Sequence, residues 1–112
     1  MHIERYRDSA NDLVISFAGE FDAVGTADVR PTLEEIAAMT DEPHVVLDLS
    51  GVTFMDSSGI GAIVFLFKRL RADGRSLALV GVYGQTRQLI ELLRVDKALP
   101  VSFLAETGMQ TA

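Results

Sequence analysis

The residues best suited to chemistry lie in one stretch near the middle of the chain, where Asp56, Ser57 and Ser58 precede Gly59 and Gly61. Aspartate or serine at a helix start accepts hydrogen bonds from the first free amides, and one such residue is enough for a cap. Three in a row, followed by glycines that let another backbone approach closely, would present a hydroxyl at the positive end of a helix dipole. A phosphate attached there would meet unpaired amides. Chemistry alone favours a plain helix cap, with a phosphate-accepting site as the alternative.

A catalytic serine would need a base within about 3 Å of its oxygen. The chain has two histidines, His2 and His44. His44 begins a predicted strand that must end before Ser57, which places it roughly 16 Å away at about 3.3 Å per residue. The sequence also matches neither the nucleophile elbow nor the phosphate-binding loop of nucleotide hydrolases. We therefore expect no catalytic residues and no enzymatic activity.

Metal and cofactor chemistry has little support in the residue types present. The chain has no cysteine, so a disulfide, a thiol nucleophile and a cysteine-ligated metal are all excluded. A weaker alternative is a divalent ion held by Asp22, Asp48 and Asp56, because ligands favour the carboxyl edge of an open sheet. We expect no metal and no cofactor.

Length and composition limit the fold and the partners. The chain has 112 residues, 48% of them hydrophobic and 23% charged, as in one ordinary globular domain. We assign that domain to residues 1–104 and a short tail to residues 105–112. A net charge of −6 has the wrong sign for nucleic acid or anionic lipid, and the longest apolar run, residues 60–67, is far shorter than the about 20 residues of a spanning helix. We expect a cytoplasmic protein without nucleic-acid binding or membrane insertion.

Hydrophobic periodicity predicts alternating strands and helices. In chain order we expect strands at 3–7 and 13–18, a helix at 30–40 with Pro31 in its first turn and an irregular entry over 23–29, a strand at 44–49, a helix at 57–72, a strand at 76–81, a helix at 86–94 with Leu89, Ile90, Leu92 and Leu93 inside, and a strand at 101–104. The apolar strand at 44–49 is typical of a central strand covered on both faces. The predicted fold is α/β, with one mixed, mostly parallel sheet of four to five strands packed against three to four helices.

The helix at 57–72 has more apolar surface than its core face needs. A helical wheel assigns to that face Ile60, Ile63, Val64, Leu66, Phe67 and Leu70. It leaves on the outer side Gly61, Ala62, Phe65, Lys68, Arg69 and Ala72. Residues 1–56 carry twelve acids against three bases, whereas residues 57–94 carry six bases against two acids. Phe65 among small and basic residues indicates a contact patch for another protein, unless a second helix or the tail covers it.

Residues 46–61, which read VLDLSGVTFMDSSGIG, resemble the signature of the STAS domain found in bacterial anti-sigma factor antagonists. Residues 19–22, GEFD, resemble that family's Gly-Glu-Leu-Asp segment after the second strand, and the element order is similar over residues 3–104. The resemblance implies the fold expected above. It also implies that the serine after the aspartate, here Ser57, is phosphorylated, with Asp22, Asp56, Ser58 and Gly59 shaping the site.

The same resemblance implies the partners. The kinase would be a GHKL-type anti-sigma factor that uses its own ATP, and a PP2C-type phosphatase would reverse the reaction. The unmodified protein would bind the anti-sigma factor and free a sigma factor, and the phosphorylated form would let go. Partner contacts would come from Glu20, Gly61, Ala62, Phe65 and Arg69. The alternative is a STAS subunit of a lipid transporter or of a stress-signalling scaffold, which would use the same helix face without phosphate.

Overall fold

The computed structural model describes residues 1–39 and 41–104, which form a five-stranded sheet with helices between the strands. The elements are β1 (His2–Arg7), β2 (Leu13–Phe21), α1 (Ala23–Ala38), β3 (His44–Met55), α2 (Ser57–Ala72), β4 (Ser76–Val82), α3 (Gly84–Leu92), α4 (Val95–Ala98) and β5 (Val101–Phe103). The strands lie in sequence order, with β1 antiparallel to β2 and all later neighbours parallel. The predicted α/β class and mixed sheet are confirmed. The predicted tail, 105–112, lies outside the described residues.

One face of the sheet carries the helices and the other is open. On the helix-covered face, Leu47 and Leu79 are fully buried and belong to one apolar core with the helices. Successive side chains of a strand point to opposite faces, so their neighbours along the strands lie on the open face. On the open face the register places Ser16, Asp48 and Val80 side by side, and all three are partly exposed. The expectation that the central strand is covered on both faces is therefore wrong.

Helix α1 begins well before the predicted start at residue 30. Asp22 caps it, since its Oδ1 accepts a hydrogen bond from the Gly25 amide at 2.9 Å. Pro31 lies inside the helix and not in its first turn. A proline there removes one backbone donor, but its ring lies on the exposed side while Val29 and Leu33 are buried on the other. The cap and this buried face outweigh the lost hydrogen bond.

Strand β3 has twelve residues instead of the predicted six. The extension contains the polar and glycine residues before Asp56, which lack the apolar character of a central strand. They are strand because β2 pairs with them through two register shifts, up to Phe21 opposite Met55. The stretch expected as a loop is therefore mostly strand, and α2 follows it directly.

Helix α2 has its predicted bounds, with Ile60, Ile63, Leu66 and Leu70 buried. Helix α3 ends earlier than predicted, and Leu92 and Leu93 are 75% and 47% exposed. Their assignment to the inner face is wrong, because α4 follows at once and places Val95 and Leu99 in the core instead. Within the described residues, every helix is too short or too polar to span a lipid bilayer.

A buried arginine fastens the far end of α1 to the sheet. Arg75, at the start of β4, donates hydrogen bonds to the carbonyl oxygens of Ile36 at 3.1 Å and Glu42 at 2.7 Å. These hydrogen bonds join the last turn of α1 and the segment before β3 to the residue that precedes β4. The Glu42 carboxylate pairs with Arg7 of β1, and the hydrogen bonds from Arg7 lower the pKa of Glu42 below its ordinary value.

Candidate functional site

The two longest helices begin side by side at the carboxyl edge of the sheet. β2 and β3 are parallel neighbours that end in register, with Phe21 opposite Met55. The amide of Asp56 donates to the Phe21 carbonyl oxygen at 3.4 Å across this end. Asp22 and Asp56, the residues that follow β2 and β3, therefore leave the sheet side by side and precede α1 and α2.

The aspartates, and not the serines, form the helix caps. Asp56 Oδ1 accepts hydrogen bonds from the amides of Ser58 at 2.8 Å and Gly59 at 3.4 Å. This is the ordinary geometry by which a side chain satisfies the first free amides of a helix. The capping alternative raised for the serines is thus taken by Asp56, as it is by Asp22 in α1.

Ser57 is the first residue of α2 and is exposed to solvent. Among the described residues it forms no hydrogen bond through its side chain. Ser58, one residue later, is half-buried. Ser57 is therefore the more exposed of the two serines, at the positive end of the α2 dipole.

The two glycines of the motif have opposite surroundings. A Cβ on Gly59 would lie 2.6 Å from the Phe21 carbonyl oxygen and 2.9 Å from Met55 Cγ, so the first turn of α2 is pressed against the end of the sheet. A Cβ on Gly61 would meet no heavy atom within 4 Å, and Gly61 is exposed. Gly59 allows the helix start to lie close to the sheet. Gly61 leaves the outer surface of α2 without a side chain at that position.

A groove of about 520 Å³ runs between the first turns of α1 and α2. We call it the α1–α2 groove, and its lining residues are Ala23, Thr26, Ala27 and Arg30 of α1 with Ser57, Ser58, Gly61 and Ala62 of α2. Ala62 is only 5% exposed. Its predicted place on the outer side of α2 is wrong because α1 packs beside it, which a wheel of one helix cannot show.

The outer side of α2 carries a line of residues that we call the α2 stripe: Ser57, Gly61, Phe65 and Arg69. They are four residues apart and so lie along one side of the helix. Phe65 is half-buried, and the Arg69 guanidinium carbon lies 5.6 Å from its ring centroid. Its neighbours Val64 and Phe67 pack against the apolar core instead. Phe65 is thus covered in part by Arg69 of its own helix.

Glu20 is exposed at the end of β2. With Asp22 and the exposed Val24 it borders a second groove of about 540 Å³, beside the amino terminus of the chain. This acidic surface adjoins the start of α1. Of the residues predicted as partner contacts, Glu20 lies on this acidic surface, Gly61, Phe65 and Arg69 lie along the outer side of α2, and Ala62 is buried.

The weaker alternatives from the sequence have no geometry to support them. Asp48 lies inside β3 on the open face, where its Oδ1 accepts from the Ser50 amide at 2.9 Å, so its predicted place at the sheet edge is wrong. In the part of the chain that the structure describes, no three acidic or histidine side chains are grouped to hold a metal ion. His44 contacts Ser76 at the opposite end of β3 from Ser57.

Gln85 was not predicted as part of the site. Its side-chain amide accepts a hydrogen bond from the Met55 amide at 2.9 Å and donates one to the Met55 carbonyl at 2.7 Å. The pairing of β3 with β4 stops at Asp48 and Val80, so this side chain takes the place of a neighbouring strand beside the residue before Asp56. No sequence signal distinguishes this glutamine from any other polar residue at a helix start.

The chain matches the STAS domain family model over residues 4–106. It is 29% identical over 89 residues to an anti-sigma F factor antagonist of Paenibacillus polymyxa, covering 80% of this chain and 76% of that protein. It is 27% identical over 104 residues to an anti-sigma-B factor antagonist of Bacillus subtilis strain 168, covering 93% and 94%. The structure of the Bacillus cell fate determinant SpoIIAA in the phosphorylated form superposes with a TM-score of 0.71 and 16% sequence identity, over 98% of this chain and 97% of that one.

Proposed function

Because the chain belongs to the STAS domain family, we propose that it is an anti-sigma factor antagonist whose binding to its partner is switched by phosphorylation of Ser57. Both curated relatives described above are named as antagonists of anti-sigma factors, and neither name describes an enzyme. The protein would act by binding, and its own chemistry would be limited to offering one hydroxyl to a kinase.

The exposed hydroxyl of Ser57 is the observation that carries the proposal. The cap of α2 is supplied by Asp56, so modification of Ser57 breaks no cap hydrogen bond. A phosphate adds about −1.5 to −2 charge at pH 7, which is favourable at a helix N-terminus. The fold should tolerate the modified residue, and the effect falls on whatever binds there. SpoIIAA, a protein of the same fold, has been seen in a phosphorylated form.

The partners follow from this role. The kinase would be a GHKL-type anti-sigma factor, and a PP2C-type phosphatase would remove the phosphate. We propose that the anti-sigma factor contacts the α2 stripe and the acidic end of β2 at Glu20. Asp22, Asp56 and Gly59 would position the site, with Ser58 beside the phosphoacceptor.

Phosphopeptide mapping tests the assignment. After incubation of the protein with the anti-sigma factor kinase and ATP, we expect phosphate on Ser57 alone. Ser57→Ala should abolish labelling and keep partner binding, because it removes one exposed oxygen. Ser58→Ala should be labelled normally and serves as the matched control. Labelling of Ser58 in the unmodified protein, or of Ser57→Ala, would contradict the proposal.

An affinity capture separates the switch from the alternative role predicted from the sequence. Recovery of a GHKL-type kinase with the bait protein supports the antagonist. Recovery of a transporter ATPase would instead indicate the transporter subunit, which uses the α2 face without phosphate.

Replacement of Phe65 by alanine tests the α2 stripe. We expect the affinity for the anti-sigma factor to fall at least tenfold, about 1.4 kcal/mol, because aromatic side chains dominate binding at interfaces. The melting temperature should change little, since Phe65 is half-buried outside the core. Phe67→Ala is the matched control, and it should lower the melting temperature because Phe67 packs against the core. Intact affinity with a lowered melting temperature for Phe65→Ala would place Phe65 in the core.

A further inference from the structure

In the described part of the chain, Arg30 is an unpaired basic residue that lines the α1–α2 groove. Within residues 1–39 and 41–104 it forms no hydrogen bond or ion pair, and its side chain is exposed. Among the described residues that line the α1–α2 groove, Arg30 is the only charged one and none carries a carboxylate. The chain has a net charge of −6, so most of its surface repels anions. An unpaired cation in this groove would instead attract an anion.

A buried hydroxyl without a partner lies beside the groove. Thr26 is 4% exposed and lines the groove one helical turn before Arg30, and its hydroxyl oxygen is buried without a hydrogen-bond partner among the described residues. Buried polar groups are nearly always paired. Ser57 borders the same groove from α2, across from these two residues.

We propose that the α1–α2 groove receives the phosphate of phosphorylated Ser57, with Arg30 as its cationic partner and Thr26 as an additional donor. This inference rests on the proposed function, since it concerns the modified form of the same site. A phosphate dianion accepts hydrogen bonds at three oxygens, and a guanidinium offers several donors in a planar fork. The phosphate would link the first turns of the two helices and fill the groove. Partner release would then include loss of the groove as a contact surface, in addition to charge repulsion.

The test uses the full chain with phosphoserine installed at position 57 during synthesis, so that no kinase is needed. The pKa of the phosphate is followed by ³¹P NMR in the unsubstituted chain, in Arg30→Gln and in Lys68→Gln. One positive charge about 5 Å away in water contributes about 0.8 kcal/mol, which corresponds to about 0.6 pH unit. We expect Arg30→Gln to raise the phosphate pKa by about that amount. Lys68→Gln, which removes the same charge from a later turn of α2, should leave it nearly unchanged.

Salt dependence and a second variant complete the test. The difference between the unsubstituted chain and Arg30→Gln should shrink at high ionic strength, because exposed charges are screened. Arg30→Lys should retain most of the effect, since it keeps the charge. Equal phosphate pKa values in the unsubstituted chain and Arg30→Gln would overturn the inference. Its failure is distinct from failure of the proposed function, which would appear as absence of labelling by the kinase while this titration still showed the Arg30 effect.

Discussion

Replacement of Ser57 by aspartate is expected to weaken binding to the anti-sigma factor about a hundredfold. Two charges about 5 Å apart at an effective dielectric constant near 20 interact by roughly 3 kcal/mol, and about 1.4 kcal/mol is a tenfold change in affinity. One new repulsion with an acidic group of the partner therefore suffices. The fold should remain intact, because a negative charge in the first turn of α2 is favourable.

The control for size is Ser57→Asn, which matches aspartate in shape and lacks its charge. We expect this variant to bind within a few fold of the unsubstituted protein. Affinities are measured by isothermal titration calorimetry, and melting temperatures are measured in parallel. If asparagine weakened binding as much as aspartate, steric fit and not charge would control the interaction, and the electrostatic switch would be wrong.

Gly59→Ala is expected to lower the free energy of unfolding by about 2 kcal/mol, within the usual 1–3 kcal/mol cost of overpacking. The added methyl group would lie 2.6 Å from the backbone oxygen of Phe21, which cannot move without disturbing the end of β2. Because Asp56 caps this turn, the displacement should also slow phosphorylation of Ser57.

Gly61→Ala is the matched control, because both glycines lie in the first turns of the same helix. Alanine at this position meets no atom within 4 Å, and it is favoured over glycine in a helix by up to about 1 kcal/mol. Chemical denaturation should therefore show opposite signs for the two variants. Destabilisation by Gly61→Ala, or no destabilisation by Gly59→Ala, would contradict the described position of α2.

The parts of the fold that could be predicted from the sequence are those with strong local signals. Helix α2 has a cap, an apolar face at helical spacing and the Asp73 and Gly74 pair at its end, so its bounds are correct. Strands β4 and β5 are nearly correct for the same reason, since short apolar runs between turns are distinctive.

The errors arise where pairing between distant segments decides the structure. The end of β3 is strand because β2 lies beside it, which the local composition at Gly51 does not reveal. The late predicted start of α1 came from giving Pro31 too much weight. With that late start the groove could not be predicted, because Thr26 and Arg30 lie on one helical face only when the helix includes the residues before 30. Burial of Ala62 depends on that same neighbouring helix.

The two hydrogen bonds of Gln85 require its side chain to be an amide, which both accepts and donates. Deamidation would convert this side chain to a carboxylate, which still accepts from the Met55 amide and can no longer donate to the Met55 carbonyl. The strand end that leads into Asp56 would lose one of its two anchors and acquire a negative charge nearby.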